Sequence, residues 1–464
     1  MRLHLITAED QLTLELRARE LIRFPQLTMP LLAALTPSWR VTHTDEITRA
    51  VDTRQRWDVV GITAATPGAP HAYDLARALR AGGARVVMGG PHATLLPYEA
   101  AQHVDVVVAG EAESVWPRVL RDIERETRYA MGRHLLDGRT GANVETLPAG
   151  SRIYRCPTPA ILADLPPARR DLIHHGGWNK WWATRAPMIA TRGCPHSCDY
   201  CSIPVVYPEA RRMRFRPVEE IAAEVSRVPD KGIVFWDDNI AANPRYAKAL
   251  FRALGPLEKW WTSQATMASL QDDELLALAA ASGCKALFVG LESISQASLA
   301  GVGKNHNSVA NYASLLRRFH EHGIALQAGI MFGFDGDEPD IFARTVDVFG
   351  NLGLDNATIS LVVPYPGTPA YTRLRAEGRI LDDDWRHYNG KTHVVHRPAR
   401  MSPDTLMAGY ERAMREFYSP GHILKRMGKS RTGLWWNVPR NLGYMLGAAS
   451  AAGATDAKTT QGLS

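Results

Sequence analysis

The chain has 464 residues, 45% of them apolar and 22% charged, which at about 150 residues per domain gives room for roughly three units. Lys plus Arg exceed Asp plus Glu by 54 to 48, a net charge of +6, too small an excess to argue for a nucleic-acid partner. This balance, with only five cysteines, excludes collagen-like, largely disordered and disulfide-scaffold chains. No run of about 18 apolar residues marks a membrane span. The start, MRLHLITAEDQL, turns acidic after one short apolar stretch, unlike a secretion signal, so a reduced, cytoplasmic protein is expected.

In chain order, RLHLIT (2–7), DVVGITAAT (58–66), RVVMGGPHAT (85–94) and VDVVVAGEAE (104–113) read as short apolar strands. A helix is predicted over 72–84, with Leu75 and Leu79 on one face, Arg77 and Arg80 on the other, and a Gly pair as its stop. Another follows at 114–126. Near-continuous apolar strands alternating with helices predict a parallel sheet buried on both faces. Residues 1–128 therefore read as a doubly wound, Rossmann-like α/β domain. Residues 129–187 lack periodicity and read as a Pro- and Gly-rich linker. Its Trp178, Trp181 and Trp182 pin it to the next domain, or alternatively form a lid over a substrate cavity.

A second rhythm begins at 188. PMIATRGC, GIVFWDDN (232–239), WWTSQATM (260–267), KALFVGLES (285–293), ALQAGIMFGF (325–334) and NATISLVVPYP (356–366) are strand candidates. Helical patterns such as DDELLALAAASG and SVANYASLLRRFHEHG separate them. Six strands joined by right-handed crossovers predict a (β/α)6 partial TIM barrel over 188–370, with its chemistry at the strands' C-terminal ends. Residues 371–448 read as a mainly helical region, and the small, polar 449–464 as a flexible tail.

Cys194, Cys198 and Cys201 fall at a C-x3-C-x2-C spacing. Three soft thiolates on one tight loop suit an iron–sulfur cluster and leave one iron open. Zinc prefers four protein ligands, and the nearest fourth, His196, lies between two of the cysteines. Cys156 and Cys284 read as unligated, Cys284 as a small buried hydrophobe.

The triplet, with Tyr200 just before its last Cys, resembles the signature of the radical S-adenosylmethionine (SAM) superfamily. The resemblance implies a 4Fe–4S cluster on the three cysteines, with SAM bound at the open iron and cleaved to a 5′-deoxyadenosyl radical. It implies SAM contacts by Tyr200, by Asp237 and Asp238 in FWDDN, by Glu292 in GLES, and through backbone at Gly329 and Pro364. Helix capping is the alternative role for the Asp pair.

The front domain resembles the cobalamin-binding branch of that superfamily, which includes anaerobic cyclases of chlorophyll biosynthesis, hopanoid-modifying enzymes and many C-methyltransferases. The implied cobalamin contacts are Thr63, Thr66, Gly89, Gly90, Gly110 and Glu111, at strand ends where ligands of parallel sheets lie. One departure stands out. Many cobalamin domains carry a cobalt-ligating His in an Asp-x-His-x-x-Gly motif, whereas this chain has Thr7-Ala8-Glu9-Asp10-Gln11-Leu12-Thr13. His71 and His92 read as surface residues.

The expected function is a cobalamin-dependent radical SAM C-methyltransferase acting on an unactivated carbon of a small molecule or lipid. An external reductant such as flavodoxin or ferredoxin would feed it. The alternative is a radical cyclase or mutase with cobalamin in another role or absent. A loose resemblance of residues 401–420 to the C-terminal extension of hopanoid and bacteriochlorophyll methylases tilts the reading toward methyl transfer. Between Glu416 and Asp456 no acidic residue occurs, while Lys425, Arg426, Lys429, Arg431 and Arg440 mix with Trp435 and Trp436. That segment, 420–446, reads either as a packed cap over the barrel or as a peripheral membrane contact.

Overall fold

Runs of buried β-branched residues organise the computed structural model, which describes residues 1–17, 24–131, 143–156, 158–174, 186–207, 209, 211–430 and 432–446. Trp178, Trp181, Trp182 and the tail 449–464 lie outside the described residues.

The front sheet holds seven strands: β1 (Arg2–Ala8), β2 (Arg40–Asp45), β3 (Val59–Ala64), β4 (Arg85–Gly89), β5 (Val106–Ala109), β6 (Val144–Thr146) and β7 (Arg152–Arg155), in the order β2-β1-β3-β4-β5-β7-β6. All pair in parallel except β6 with β7. Because side chains alternate along a strand, Val60, Ile62, Val86, Met88 and Val107 pack on one face with Leu75 and Leu79 of the helix Ala69–Ala81. Val59, Val87, Val106 and Val108 pack on the other with Trp116, Val119 and Ile123 of the helix Trp116–Met131.

Two features depart from expectation. The sheet runs to Arg155, so part of the expected linker belongs to the front domain. The strand β2 was not apparent because its VTHTD pattern is polar; buried His43 hydrogen-bonds Thr7 at 3.2 Å instead of packing in an apolar layer.

The second sheet matches the predicted six strands. It consists of β8 (Ala186–Met188), β11 (Gly232–Phe235), β12 (Trp260–Ala265), β13 (Cys284–Glu292), β14 (Ala325–Phe332) and β15 (Asn356–Leu361), all parallel and in sequential order. Between β8 and β11 a two-stranded ribbon, β9 (Thr191–Arg192) with β10 (Arg214–Phe215), flanks the cysteine loop. Side-chain caps from Asn243, Asp272 and Ser402 start three of the surrounding helices, each satisfying an amide the helix itself cannot.

The carboxyl end closes the opposite end of this sheet. Asp355, fully buried before β15, accepts from Leu326 N–H (2.8 Å), Thr432 Oγ1 (2.7 Å), Asn437 Nδ2 (2.9 Å) and the Ser430 hydroxyl. Arg426, also fully buried, donates to the carbonyls of Leu354 (3.0 Å) and Phe417 (3.0 Å) and to Asn441 Oδ1 (2.9 Å). Burial pulls its pKa down to about 10. Arg426→Met removes every donor and leaves those oxygens buried. It is expected to cost about 3–5 kcal/mol, read as a lowered midpoint in urea unfolding of the full chain.

Candidate active site

The cysteine loop is gripped at both ends. On entry, Asp237, just past β11, accepts the amide N–H groups of Ala190 (2.9 Å) and Thr191 (2.7 Å). Asp238 accepts that of Gly193 at 2.9 Å, and Gly193 has φ +105°, a conformation that favours glycine. Past the second cysteine, Asp199 donates its N–H to Val302 O (3.1 Å) and accepts from Ala370 N–H (3.0 Å). Arg373 then bridges the Asp199 carboxylate (3.3 Å) to Asp335 (2.9 Å).

Asp237, expected at SAM, is fully buried with both oxygens bonded to backbone amides, so it braces the loop. Burial pushes its carboxyl up to about 7, against the pull of those amide bonds. Asp238 keeps partial exposure beside Cys194.

Burial raises the pKa of all three thiols, Cys201 to about 12. Negative charge on Cys194 and Cys198 raises Cys201 further, so the three sulfurs share one electrostatic neighbourhood. Cys198 and Cys201 line a cavity of about 420 Å³ with Ser197, Pro204, Val205 and Pro369. Among the described residues no three His, Cys, Asp or Glu side chains already converge on one metal-sized point. The fit to a cluster lies in the donor set: three soft ligands from one short loop, two of them lining one cavity, whose protons a bound cationic metal would displace.

Glu292 closes β13 at φ +66°, in the left-handed region, where the strand register shifts. Such a backbone costs about 1–3 kcal/mol. Neighbours hold it: Asn307 Nδ2 donates to Gly290 O (2.9 Å), and Tyr312 O–H to Leu291 O (2.8 Å) and Ser293 O (2.9 Å). The turn aims the carboxylate inward, where Oε1 accepts from Lys304 Nζ (2.8 Å) and Tyr200 O–H (3.2 Å). Lys304 Nζ also lies 3.2 Å from the Tyr200 hydroxyl. A Cβ on Gly290 would sit 2.9 Å from Lys304 Nζ, and one on Gly329 would sit 2.8 Å from the Phe288 ring, so both glycines keep this wall bare. Tyr200 packs against Phe334, Val302 and Val362, and Pro364 is buried just beyond β15.

Tyr200, Glu292 and Gly329 are thus brought together. Lys304 is the residue that sequence reading missed; its only signal is a lone cation in GVGKNHNS after the GLES strand.

At the front sheet's C-terminal edge, Thr63 pairs in register with Gly89. Gly90 has φ +89°, and a Cβ there would collide with Thr63 Oγ1. Thr94 links the row: its hydroxyl donates to Gly90 O (2.8 Å) and accepts from Gly110 N–H (3.0 Å). Thr63, Gly89, Gly90 and Gly110 stay partly exposed, presenting backbone along the strand ends as a corrin tail requires.

Three other expectations for this domain change. Thr66 is 2% exposed, and the turn it begins packs against residues 385–387. Glu111, expected at cobalamin, is 2% exposed and has its carboxylate bonded to Arg192 and Arg214 of the second domain. His92 is fully buried, 2.9 Å from the Tyr73 hydroxyl and 3.2 Å from Glu99, which also accepts from Trp385 Nε1 at 3.0 Å. Where other cobalamin domains carry their ligating His, Asp10 caps the helix Gln11–Arg17 by accepting Thr13 N–H at 2.9 Å.

Residues 188–349 match the Radical SAM superfamily, 36–120 the B12 binding domain, and 368–438 a domain of unknown function (DUF4070). The chain is 30% identical over 387 residues to the bacteriochlorophyllide d C-12(1)-methyltransferase of Chlorobaculum tepidum, covering 82% of this chain and 79% of that one. It is 27% identical to the bacteriochlorophyllide d C-8(2)-methyltransferase of the same organism, covering 80% of each. The fold matches the radical SAM methyltransferase TsrM from Kitasatospora setae with a TM-score of 0.66 at 16% identity, over 97% of this chain and 99% of that one.

A parallel barrel with a three-thiol loop, preceded by a B12-type sheet, defines a radical SAM enzyme with a cobalamin-binding domain. Within that class, the chain belongs to the family of cobalamin-dependent radical SAM C-methyltransferases. Its cofactors are a 4Fe–4S cluster, SAM and cobalamin.

Cys198→Ala removes one thiolate from a loop, not from the core. After anaerobic reconstitution it is expected to form no 5′-deoxyadenosine from SAM, with circular dichroism unchanged. Cleavage at the wild-type rate would remove Cys198 from the ligand set.

Proposed function

We propose that this enzyme methylates an unactivated carbon of a small, lipophilic molecule. The carrying observation is that one continuous structure holds the cluster loop with its Glu292–Lys304 pair and, in contact with it through Arg192, the glycine-lined strand ends of the front sheet. When bound, the cluster supplies the electron that cleaves SAM, and cobalamin supplies the methyl carrier.

The chain's own residues position and insulate. Cys194, Cys198 and Cys201 hold the cluster; Asp238 and Asp237 hold the backbone that carries them. Glu292 and Lys304 present a buried carboxylate beside a buried ammonium, complementary to SAM, which bears an amine, a carboxylate and ribose hydroxyls. Gly329 and Pro364 offer backbone to its adenine. Tyr200, Phe334 and Val362 form an apolar wall that keeps water from a reactive carbon radical. The Chlorobaculum relative's name places its substrate among bacteriochlorophyllides, which supports a lipophilic small-molecule substrate here.

The test uses SAM carrying a trideuterated methyl group, with cobalamin-loaded enzyme, a chemical reductant and lipid extract from a strain lacking the protein. A product heavier by the labelled methyl, formed with S-adenosylhomocysteine and 5′-deoxyadenosine, is expected. Stoichiometric 5′-deoxyadenosine with an unlabelled new product would instead make it a cyclase or mutase.

The carboxyl end suits such a substrate. In the helix 434–446, Trp436, Asn437, Arg440 and Asn441 face inward. Trp435 (44% exposed), Val438 (40%) and Leu442 (39%) face outward, and Leu424, Lys425 and Lys429 of the preceding helix are exposed too. Among the described residues no helix is long and apolar enough to cross a membrane. The reading is peripheral contact with anionic lipid, the inward face serving as the cap and the outward face as the contact. The protein is expected to float with phosphatidylserine-containing vesicles and not with neutral ones, and Trp435→Glu to abolish flotation. Absence of flotation on either vesicle would remove the membrane contact.

A further inference from the structure

A buried ion cluster joins the two domains where their strands end. Glu111 follows Gly110 at the tip of β5 and is 2% exposed. Its Oε2 accepts from Arg192 Nη1 (2.8 Å), Arg214 Nη1 (2.8 Å) and Ala160 N–H (3.0 Å), and its Oε1 bonds Arg214 Nη2. Glu113 takes the second Arg192 nitrogen at 2.7 Å. The two arginines are register partners across the β9–β10 ribbon. Arg192 stands two residues before Cys194.

Two carboxylates and two guanidiniums balance in charge. Removing four charges from water costs several kcal/mol per ion, and apolar side chains of like volume would hold two domains together at least as well. What the ionic arrangement adds is geometry, since two-pronged Arg–carboxylate bonds tolerate little rotation or slip. Both ends of the cluster also matter for the chemistry. One adjoins the glycine row of the cobalamin-type strand ends. The other adjoins the backbone that Asp237 and Asp238 hold for the cysteines.

We propose that Glu111, Glu113, Arg192 and Arg214 form an inter-domain latch that fixes the corrin-binding strand ends relative to the cluster loop. They are positioning residues for methyl delivery and ligands of neither cofactor. The proposal rests on the methyl-transfer reading, because only a reaction using both cofactors on one substrate needs their separation fixed.

The test compares the wild-type full chain with Glu111→Gln, which keeps the side chain's shape and removes its charge. Hydrogen exchange of the cofactor-free proteins is read first. Amides at 108–112 and 190–193 are expected to exchange about tenfold faster in the variant, with the strand cores unchanged. Cobalamin and iron contents after reconstitution are expected to match wild type, as is 5′-deoxyadenosine formation from SAM alone.

Methyl transfer to cobalt is then read with trideuteromethyl-SAM, cobalamin and titanium(III) citrate. In that reaction the sulfonium sulfur keeps the bonding pair and leaves as S-adenosylhomocysteine, and reduced cobalt supplies the pair for the new bond. The variant is expected to lose about 100-fold, the cost of an ångström-scale misplacement.

Loss of cobalamin with unchanged exchange would make Glu111 a cofactor ligand and overturn the proposal. Methyl transfer at the wild-type rate with a loosened interface would overturn it equally. Should Glu111→Gln fail to fold, Arg214→Lys keeps the charge and loses the two-pronged bond; the same pattern is expected, and wild-type exchange and transfer would overturn the latch. Absence of methyl transfer in the wild type would sink the methyl-transfer reading itself, while the exchange comparison still decides the latch.

Discussion

A carboxylate that ties down backbone amides is the constraint on which this active end depends. Ligand loops cannot form a sheet or helix of their own, so their amides need partners from elsewhere. Asp237 satisfies two of them before Cys194 and Asp238 a third, both projecting from the strand next to β8. Without these bonds the approach to the cysteines would have free backbone torsions and buried unsatisfied donors. The later clamp through Asp199, Val302, Ala370 and Arg373 does the same on the far side. The thiols are therefore presented by a frame whose backbone is held on both sides of the loop.

The same logic recurs with charge at Glu292. A strand end in the left-handed region carries a cost, and the surrounding Asn307 and Tyr312 bonds offset it. What results is a buried carboxylate turned inward, stabilised there by Lys304 and Tyr200. Burying one of these charges alone would be prohibitive; as a hydrogen-bonded pair they persist. Gly290 and Gly329 serve by omission, since a methyl group at either position would fill the space that the pair faces.

Much of this was legible in the sequence because period and spacing are local signals. The six barrel strands and the cysteine loop follow from contiguous motifs, and β8 and β11 to β15 appear in the predicted order. What escaped is non-local. Lys304 reaches Glu292 across a loop that no periodicity encodes. Glu111 looked like part of a ligand-binding strand end because it follows Gly110, yet its partners stand 81 and 103 residues away. His92 seemed a loop residue, but tertiary packing beside Tyr73 and Trp385 buries it. The polar β2 and the short β6 and β7 carry too little apolar pattern to register as strands, although β2 and β6 form the sheet's two edges and β7 joins β6 to β5.

The way β7 completes the front sheet also bears on the order in which the chain assembles. Its last residue, Arg155, emerges well before Ala186 opens the barrel, so during synthesis the first unit can finish folding while the second is still incomplete. The barrel has no such independence. Asp355 and the carbonyls before β15 find several of their partners in residues 426–441, far along the chain from β8. The nascent protein therefore carries buried-to-be polar groups with incomplete hydrogen bonding until residues 426–441 are made, and that interval is its window of exposure to aggregation and proteolysis.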